Sequence, residues 1–235
     1  MSVHPVSSQG NSLTRTLILI PTRAECLVLQ PRLEPSLGCG DRVELCGFGL
    51  VAAAARSSQL IQSMCPDQVI LVGIAGTFRD DLPVGSAAIF REVSCYGIGA
   101  GSGADHQTAG DIGWCHIGDG QADSASGEDV MITDTIALGH LESANEMVRS
   151  RQLLSVAAVS GNSDDASIRL SRFPDAAAED MEGFAVAMAC CLAKVPVVIV
   201  RGISNRVGDR NAENWQIKPA LDATIPVVRQ LKSAW

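Results

Sequence analysis

The stretch Gln68-Val69-Ile70-Leu71-Val72-Gly73-Ile74-Ala75-Gly76 decides the fold class. Four aliphatic residues in succession, with no polar residue alternating between them, suit a strand buried on both faces. The closely spaced glycines that follow mark a tight turn or a place where another group approaches the backbone. Just upstream, Leu50 to Met64 is rich in Ala and Leu and reads as a helix. Outward from this pair the alternation continues. Thr16–Ile20, Ala87–Phe90, Ser155–Val159 and Pro196–Val200 are further strand-like runs, and Ser143–Gln152 and Met181–Ala193 are further helix-like segments. Strands alternating with helices predict an α/β layer fold. The Gly-rich stretch from Tyr96 to Gln121 lacks a clear period and reads as a mobile loop over a site or an irregular edge. No internal repeat or linker divides the chain.

The 235 residues fit one large domain with its own core. With 46% hydrophobic and 19% charged residues the chain is a folded globule, and with 4% aromatics its core must come mainly from Val, Ile, Leu and Ala. The net charge of -8, without any Lys/Arg block, argues against nucleic-acid binding by counterion release but leaves room for a nucleoside-sized ligand. The eight cysteines form no C-x-x-C pair. With no signal peptide they read as buried, reduced thiols of a cytoplasmic protein. The four histidines lack zincin-like spacing, so Cys115-His116 is only a faint metal hint and no metal is expected. The polar segment Met1–Leu13 reads as a disordered tail before a domain spanning 14–235. No apolar run approaches the ~18 residues of a membrane span.

Several polar residues interrupt this apolar frame. Gly47-Phe48-Gly49 separates a strand-like run from a helix, and Gly73–Gly76 follows a strand. Neither continues as a Walker loop or a dinucleotide fingerprint, so no nucleotide cofactor is expected; their remaining use is backbone N–H groups facing a small ligand. Glu25 follows the first strand by five residues, and by spacing alone is a solvated Glu in a first helical turn. Glu182 stands at the start of a strongly apolar helix; by spacing it is either a surface Glu at a helix N-terminus or a carboxylate entering an apolar environment that needs donors, for which sugar hydroxyls are suitable. Asn205 lies beyond Val197–Val200, where open α/β sheets bind ligands. By spacing alone it is a turn Asn, although an amide also matches the edge of a 6-oxopurine.

Together these signals carry a resemblance. From Thr16 to about Ala220 the chain resembles the purine and uridine phosphorylase superfamily, specifically its nucleosidase branch. Pro21-Thr22-Arg23-Ala24-Glu25 looks like the first strand's exit and the water-activating Glu. Gly47-Phe48-Gly49 before Val51-Ala52-Ala53-Ala54 is similar to the family's helix entry, and Gly73–Phe78 and Leu82-Pro83-Val84-Gly85 to its Gly-rich loop and following turn. Val159-Ser160-Gly161 and Phe173-Pro174 fall at its base-flanking loop. Met181-Glu182-Gly183 is its ribose motif. Ile203-Ser204-Asn205-Arg206-Val207-Gly208-Asp209-Arg210, with Trp215, is close to the pattern of futalosine hydrolases, whereas methylthioadenosine nucleosidases carry Asp where Asn205 stands. Departures are Ser86 after Gly85, Phe184 after Gly183, and the run Gly97–Gly103.

The resemblance implies a single-domain, three-layer α/β/α fold with a central mixed sheet, working without a cofactor as a homo-oligomer of two or more subunits. It implies a nucleoside and water as the reactants, because neither Gly-rich loop carries the Arg that holds phosphate in phosphorylases; Arg79 is the nearest candidate. The implied catalytic residues are Glu25, orienting and deprotonating water at C1′, Glu182, holding the 2′ and 3′ hydroxyls, and Asn205, bridging N7 and O6. The N7 proton would come from solvent ahead of Asp209. The implied substrate contacts are Gly76, Thr77, Ser160, Gly161, Met181, Ser204 and Asn205, with Phe184 and Trp215 against the base or an aromatic tail and Arg210 or Arg206 at a carboxylate. A methylthioadenosine/adenosylhomocysteine nucleosidase, a phosphorylase and a non-catalytic nucleoside-binding protein are the alternatives.

Overall fold

A computed structural model describes residues 14–118, 130–138 and 149–234. The strands, in chain order, are β1 (Thr16–Ile20), β2 (Arg42–Leu45), β3 (Gln68–Thr77), β4 (Ala87–Tyr96), β5 (Gly99–Ala100), β6 (Gln107–Thr108), β7 (Thr135–Ala137), β8 (Arg149–Val156), β9 (Ala176–Asp180) and β10 (Val197–Arg206). The helices are α1 (Arg23–Leu33), α2 (Gly49–Met64), α3 (Ser163–Arg172), α4 (Gly183–Leu192) and α5 (Ile217–Ala234). The tail Met1–Leu13 lies outside the described residues.

The central sheet runs in the order β10-β4-β8-β9-β3-β1-β2, and a further pairing of β10 with β3 closes five of these strands into a ring. The sheet is mixed: β1–β2, β1–β3, β3–β10, β4–β8 and β8–β9 are parallel, while β4–β10, β3–β9 and β4–β7 are antiparallel. β3 holds it together. Thr16–Leu19 of β1 pair with its first half, β9 meets only Gly76 and Thr77, and β10 follows nearly its whole length.

Alternation with a period of two explains the layers. Leu17, Leu19, Val69, Leu71, Val197 and Ile199 enter one core, packed by α2 and α4. Ile18, Ile20, Ile70, Val72, Val198 and Val200 enter a second, packed by α1 and α5 through Leu29, Leu33, Leu221 and Val228. The uninterrupted aliphatic runs are therefore strands with helices on both sides. A smaller cluster of Tyr96, Leu154, Val156 and Ala176 sits beneath Leu170 of α3.

Two sequence readings are corrected. The segment Ser143–Gln152 is strand from Arg149 onward, because β8 is long enough to pair with β4 and β9 together; its earlier part lies outside the described residues. The strand read at Ser155–Val159 accordingly ends at Val156. The Gly-rich stretch, described to Gly118, carries the small antiparallel ribbon β5–β6. None of the helices among the described residues is long and apolar enough to cross a membrane.

Candidate active site

A cavity of about 420 Å³ opens between the ends of β3, β9 and β10 and the helices α1 and α5. Its wall contains Glu25, Gly76, Ser160, Met181, Glu182, Ser204, Asn205, Arg210 and Trp215. Nine of the residues expected from the sequence thus converge on one space.

Glu25 is the third residue of α1 and is only 6% exposed. Thr22 and Glu25 form a capping box, in which the Thr22 side chain accepts from the Glu25 N–H and Glu25 Oε2 accepts from the Thr22 N–H at 3.0 Å and its hydroxyl at 2.6 Å. The other oxygen, Oε1, accepts from the Ile74 N–H at 3.0 Å. The helix-start reading is therefore correct and the solvated one is not: the cap locks the carboxylate into the cavity wall.

Glu182 precedes α4 at its N-cap position yet does not cap it. Asp180 Oδ2 accepts from the Gly183 N–H at 2.9 Å, and Ser155 Oγ accepts from the Phe184 N–H at 2.8 Å. These two side chains satisfy two of the free donors of α4 and leave Glu182 to face the cavity. Its Oε1 accepts from the Gly49 N–H at 3.0 Å, so Glu182 closes the N-terminus of α2 instead, where Phe48 supplies no side-chain cap. Gly49 has a φ of +81°, a conformation glycine adopts without strain. Burial pushes the Glu182 carboxyl up to about 7, with Asp180 and Glu25 adding to the rise against the pull of Arg201 and the Gly49 N–H.

Arg201 lies beneath these acids and is 0% exposed. Its Nε donates to Asp180 Oδ2 at 3.0 Å and its Nη2 to Glu182 Oε2 at 3.2 Å, while Nη1 has no hydrogen-bond partner among the described residues. A Cβ at Gly73 would collide with that Nη1 and lie 2.8 Å from Glu25 Oε1. Gly73 is thus the gap through which guanidinium and carboxylate approach each other. Three carboxylates around one guanidinium leave the site negative when all are ionised, a field that favours developing positive charge. The sequence reading missed Arg201 and Asp180. A guanidinium inside the run Val197–Ile203 was the available signal, since a charge buried in an apolar strand must be paired.

Asn205 lies within β10 rather than beyond it, 9% exposed, after a register shift against β3 between Ile203 and Asn205. Such irregularities re-aim side chains. Ser204 Oγ donates to Asn205 Oδ1 at 2.8 Å and Asn205 Nδ2 donates to the Arg206 carbonyl at 2.7 Å. The amide is thereby oriented, with one acceptor site and one N–H left over. Ser160 is held by Glu179, whose Oε1 accepts from its N–H at 2.9 Å and Oε2 from its hydroxyl at 2.8 Å, and Arg169 pairs with Glu179 from α3. Glu179 lines the cavity and was also missed.

Three expected contacts fall elsewhere. Phe184 is 2% exposed in the core under α4, its ring 4.9 Å from that of His116, because the start of an apolar helix turns inward. Thr77 bonds the Arg79 and Ala177 carbonyls. The Gly161 N–H is taken by Asp165 at 2.9 Å. His116 pairs with Asp134 at 3.1 Å. Arg79 donates to the Pro174 and Ala176 carbonyls, away from the cavity wall. Asp209 is held below the usual carboxylate range by the Asn214 amide and the Asn211 N–H, which makes it a poor proton donor.

The architecture is that of solved nucleosidases. The 5′-methylthioadenosine/S-adenosylhomocysteine nucleosidase of Neisseria meningitidis, solved with methylthio-immucillin-A, superposes with a TM-score of 0.70 at 21% identity, over 94% of this chain and 100% of that one. The model of the Phosphorylase superfamily matches residues 41–232, and the chain belongs to that superfamily. A futalosine hydrolase of Streptomyces coelicolor is 31% identical over 70% of this chain and 65% of its own length. A 5′-methylthioadenosine/S-adenosylhomocysteine nucleosidase of Shewanella piezotolerans is 26% identical over 97% of this chain and 93% of its own length.

Proposed function

We propose that the protein hydrolyses the N-glycosidic bond of a 6-oxopurine nucleoside, with futalosine as the substrate and hypoxanthine as the released base. The observation that carries the substrate assignment is Asn205, an amide held by Ser204 and by the Arg206 carbonyl at the cavity wall. An amide cannot protonate N7 as a carboxylic acid can, but its free lone pair suits an N7 proton taken from solvent and its free N–H suits O6. The likeness to the Streptomyces coelicolor futalosine hydrolase supports the same choice.

In this reading Glu25, in the cavity wall, takes a proton from water as it attacks C1′. Glu182 holds the ribose hydroxyls, and the negative field of Asp180, Glu182 and Glu25 stabilises the oxocarbenium-like transition state. Water rather than phosphate is the nucleophile in this reading, because Arg79, the cation next to the Gly-rich loop, is committed to the Pro174 and Ala176 carbonyls. A cytoplasmic homo-oligomer goes with this reading.

Hypoxanthine or adenine release from futalosine, inosine and methylthioadenosine, with and without phosphate, tests it. Futalosine is expected to be cleaved best, without a phosphate requirement. Glu25→Gln should lower kcat/KM by about 10²–10⁴-fold. Asn205→Asp should move preference toward the 6-aminopurine. Phosphate-dependent release, or methylthioadenosine as the better substrate of the unmodified protein, would overturn the assignment.

A further inference from the structure

Of the acids in the cavity wall, the proposed reaction uses Glu25, Asp180 and Glu182 but not Glu179. Strand register sets where Glu179 stands. It lies on β9 opposite Gly76 of β3, and Asn205 of β10 lies opposite the same glycine from the other edge of β3. Directly opposed residues on paired strands share a face of the sheet, and all three line the cavity. Glu179 and Asn205 are therefore two strand spacings apart, roughly 10 Å between backbones, with a residue that has no side chain between them. A Cβ at Gly76 would crowd that floor, 3.2 Å from Val207 Cγ2 and 3.4 Å from Asn205 Nδ2. The Glu179 carboxylate is also held still. Its Oε1 accepts from the Ser160 N–H at 2.9 Å, and its Oε2 accepts from the Ser160 hydroxyl at 2.8 Å and from Arg169. Arg169, 8% exposed, reaches Ser160 Oγ at 2.9 Å and the Ala158 carbonyl at 2.6 Å as well, and stands 5.2 Å from the centre of the Tyr96 ring. Oε1 has a single partner among the described residues, so one of its lone pairs is free.

We propose that Glu179 reads the far edge of the base, accepting a hydrogen bond from an N–H at purine position 1 and selecting against a base with a lone pair there. The inference rests on the nucleosidase reading and adds to it a second specificity residue beside Asn205. With Asn205 at N7 and O6, N1 is the next ring atom past C6, on the side of the base away from N7. Glu179 stands on that side of Gly76. A 6-oxopurine carries a proton on N1, whereas a 6-aminopurine carries a lone pair. A carboxylate paired with Arg169 is an acceptor only, so it attracts the first and repels the second. Arg169 is a positioning residue: it fixes the carboxylate before the base arrives, so little freedom is lost on binding.

Calorimetric titration with hypoxanthine, 1-methylhypoxanthine and adenine tests this apart from catalysis. The unmodified protein is expected to bind hypoxanthine about tenfold or more tighter than either of the other two, the size of one hydrogen bond to a charged group. Glu179→Gln keeps the shape and gains an N–H, so its preference for hypoxanthine over adenine should fall by about tenfold. Glu179→Leu combined with Arg169→Met removes both charges together and strands neither in the interior, and the same preference should fall there too. A purely structural Glu179 would weaken both bases alike and leave their ratio unmoved, because general damage cancels within one variant. Failure of hypoxanthine to bind, equal binding of hypoxanthine and 1-methylhypoxanthine by the unmodified protein, or an unchanged ratio in a folded Glu179 variant would each overturn the inference. If neither variant folds, the comparison with 1-methylhypoxanthine decides alone. A preference at N1 without cleavage of futalosine would remove the nucleosidase reading and keep the base assignment; cleavage without that preference would remove the base assignment alone.

Discussion

Glu182 and Arg201 owe their properties to burial. Glu182 is 4% exposed, and its carboxyl is raised because desolvation outweighs the attraction of Arg201. A raised carboxyl binds its proton more tightly in the folded chain than in the unfolded one, where an ordinary Glu titrates near ~4.3. Its contribution to stability is therefore complete below that value and is lost as pH rises toward about 7. Thermal melts from pH 5 to 7.5 should show the unmodified protein losing stability, and Glu182→Gln, which does not titrate, should flatten that decline. Parallel slopes for the two proteins would mean that Glu182 is ionised throughout. The candidate residues were legible to different degrees. Glu182 could be picked out because an acid beside Gly183 and an apolar helix needs partners. Glu25 could not be told from a surface acid without the family resemblance, because its burial depends on Ile74, 49 positions away.

At the scale of elements, helix starts organise the cavity. α1 is capped by Thr22 and Glu25, α2 by Glu182 from the neighbouring start of α4, and α4 by Asp180 and Ser155. Capping and site geometry are therefore one network. Thr22→Ala should cost about 1 kcal/mol of stability as a lost N-cap. It should also lower kcat more than KM rises, because Glu25 Oε2 loses its 2.6 Å hydrogen bond from the Thr22 hydroxyl. Thr22→Ser should recover both, as read by melting temperature and by hypoxanthine release. The starts of β1, β3 and α2 were readable to within a residue, since aliphatic runs and Ala-rich periods are local. β8 was not: a mixed polar segment becomes strand where β4 and β9 offer it hydrogen bonds on both sides.

Over the whole molecule, two cores flank one sheet, and the cavity opens at one end of it. Packing far from that end should govern stability without governing chemistry. Leu231, 4% exposed near the end of α5, lies ten residues or roughly 15 Å of helix beyond Leu221 of the cavity wall. Leu231→Ala is expected to cost about 2–5 kcal/mol, and KM for the folded enzyme should not move. A changed KM at a temperature well below melting would show that α5 transmits core packing to the cavity. The sequence by itself determined the alternation of elements and the burial of β1, β3 and β10 on both faces, because each follows from local pattern. Only the tertiary structure decided that Arg201 joins Asp180 and Glu182, that Phe184 turns into the core, and that Asn205 is oriented within a strand. Those outcomes depend on which distant groups share a low-dielectric space, and chain order does not specify such distances.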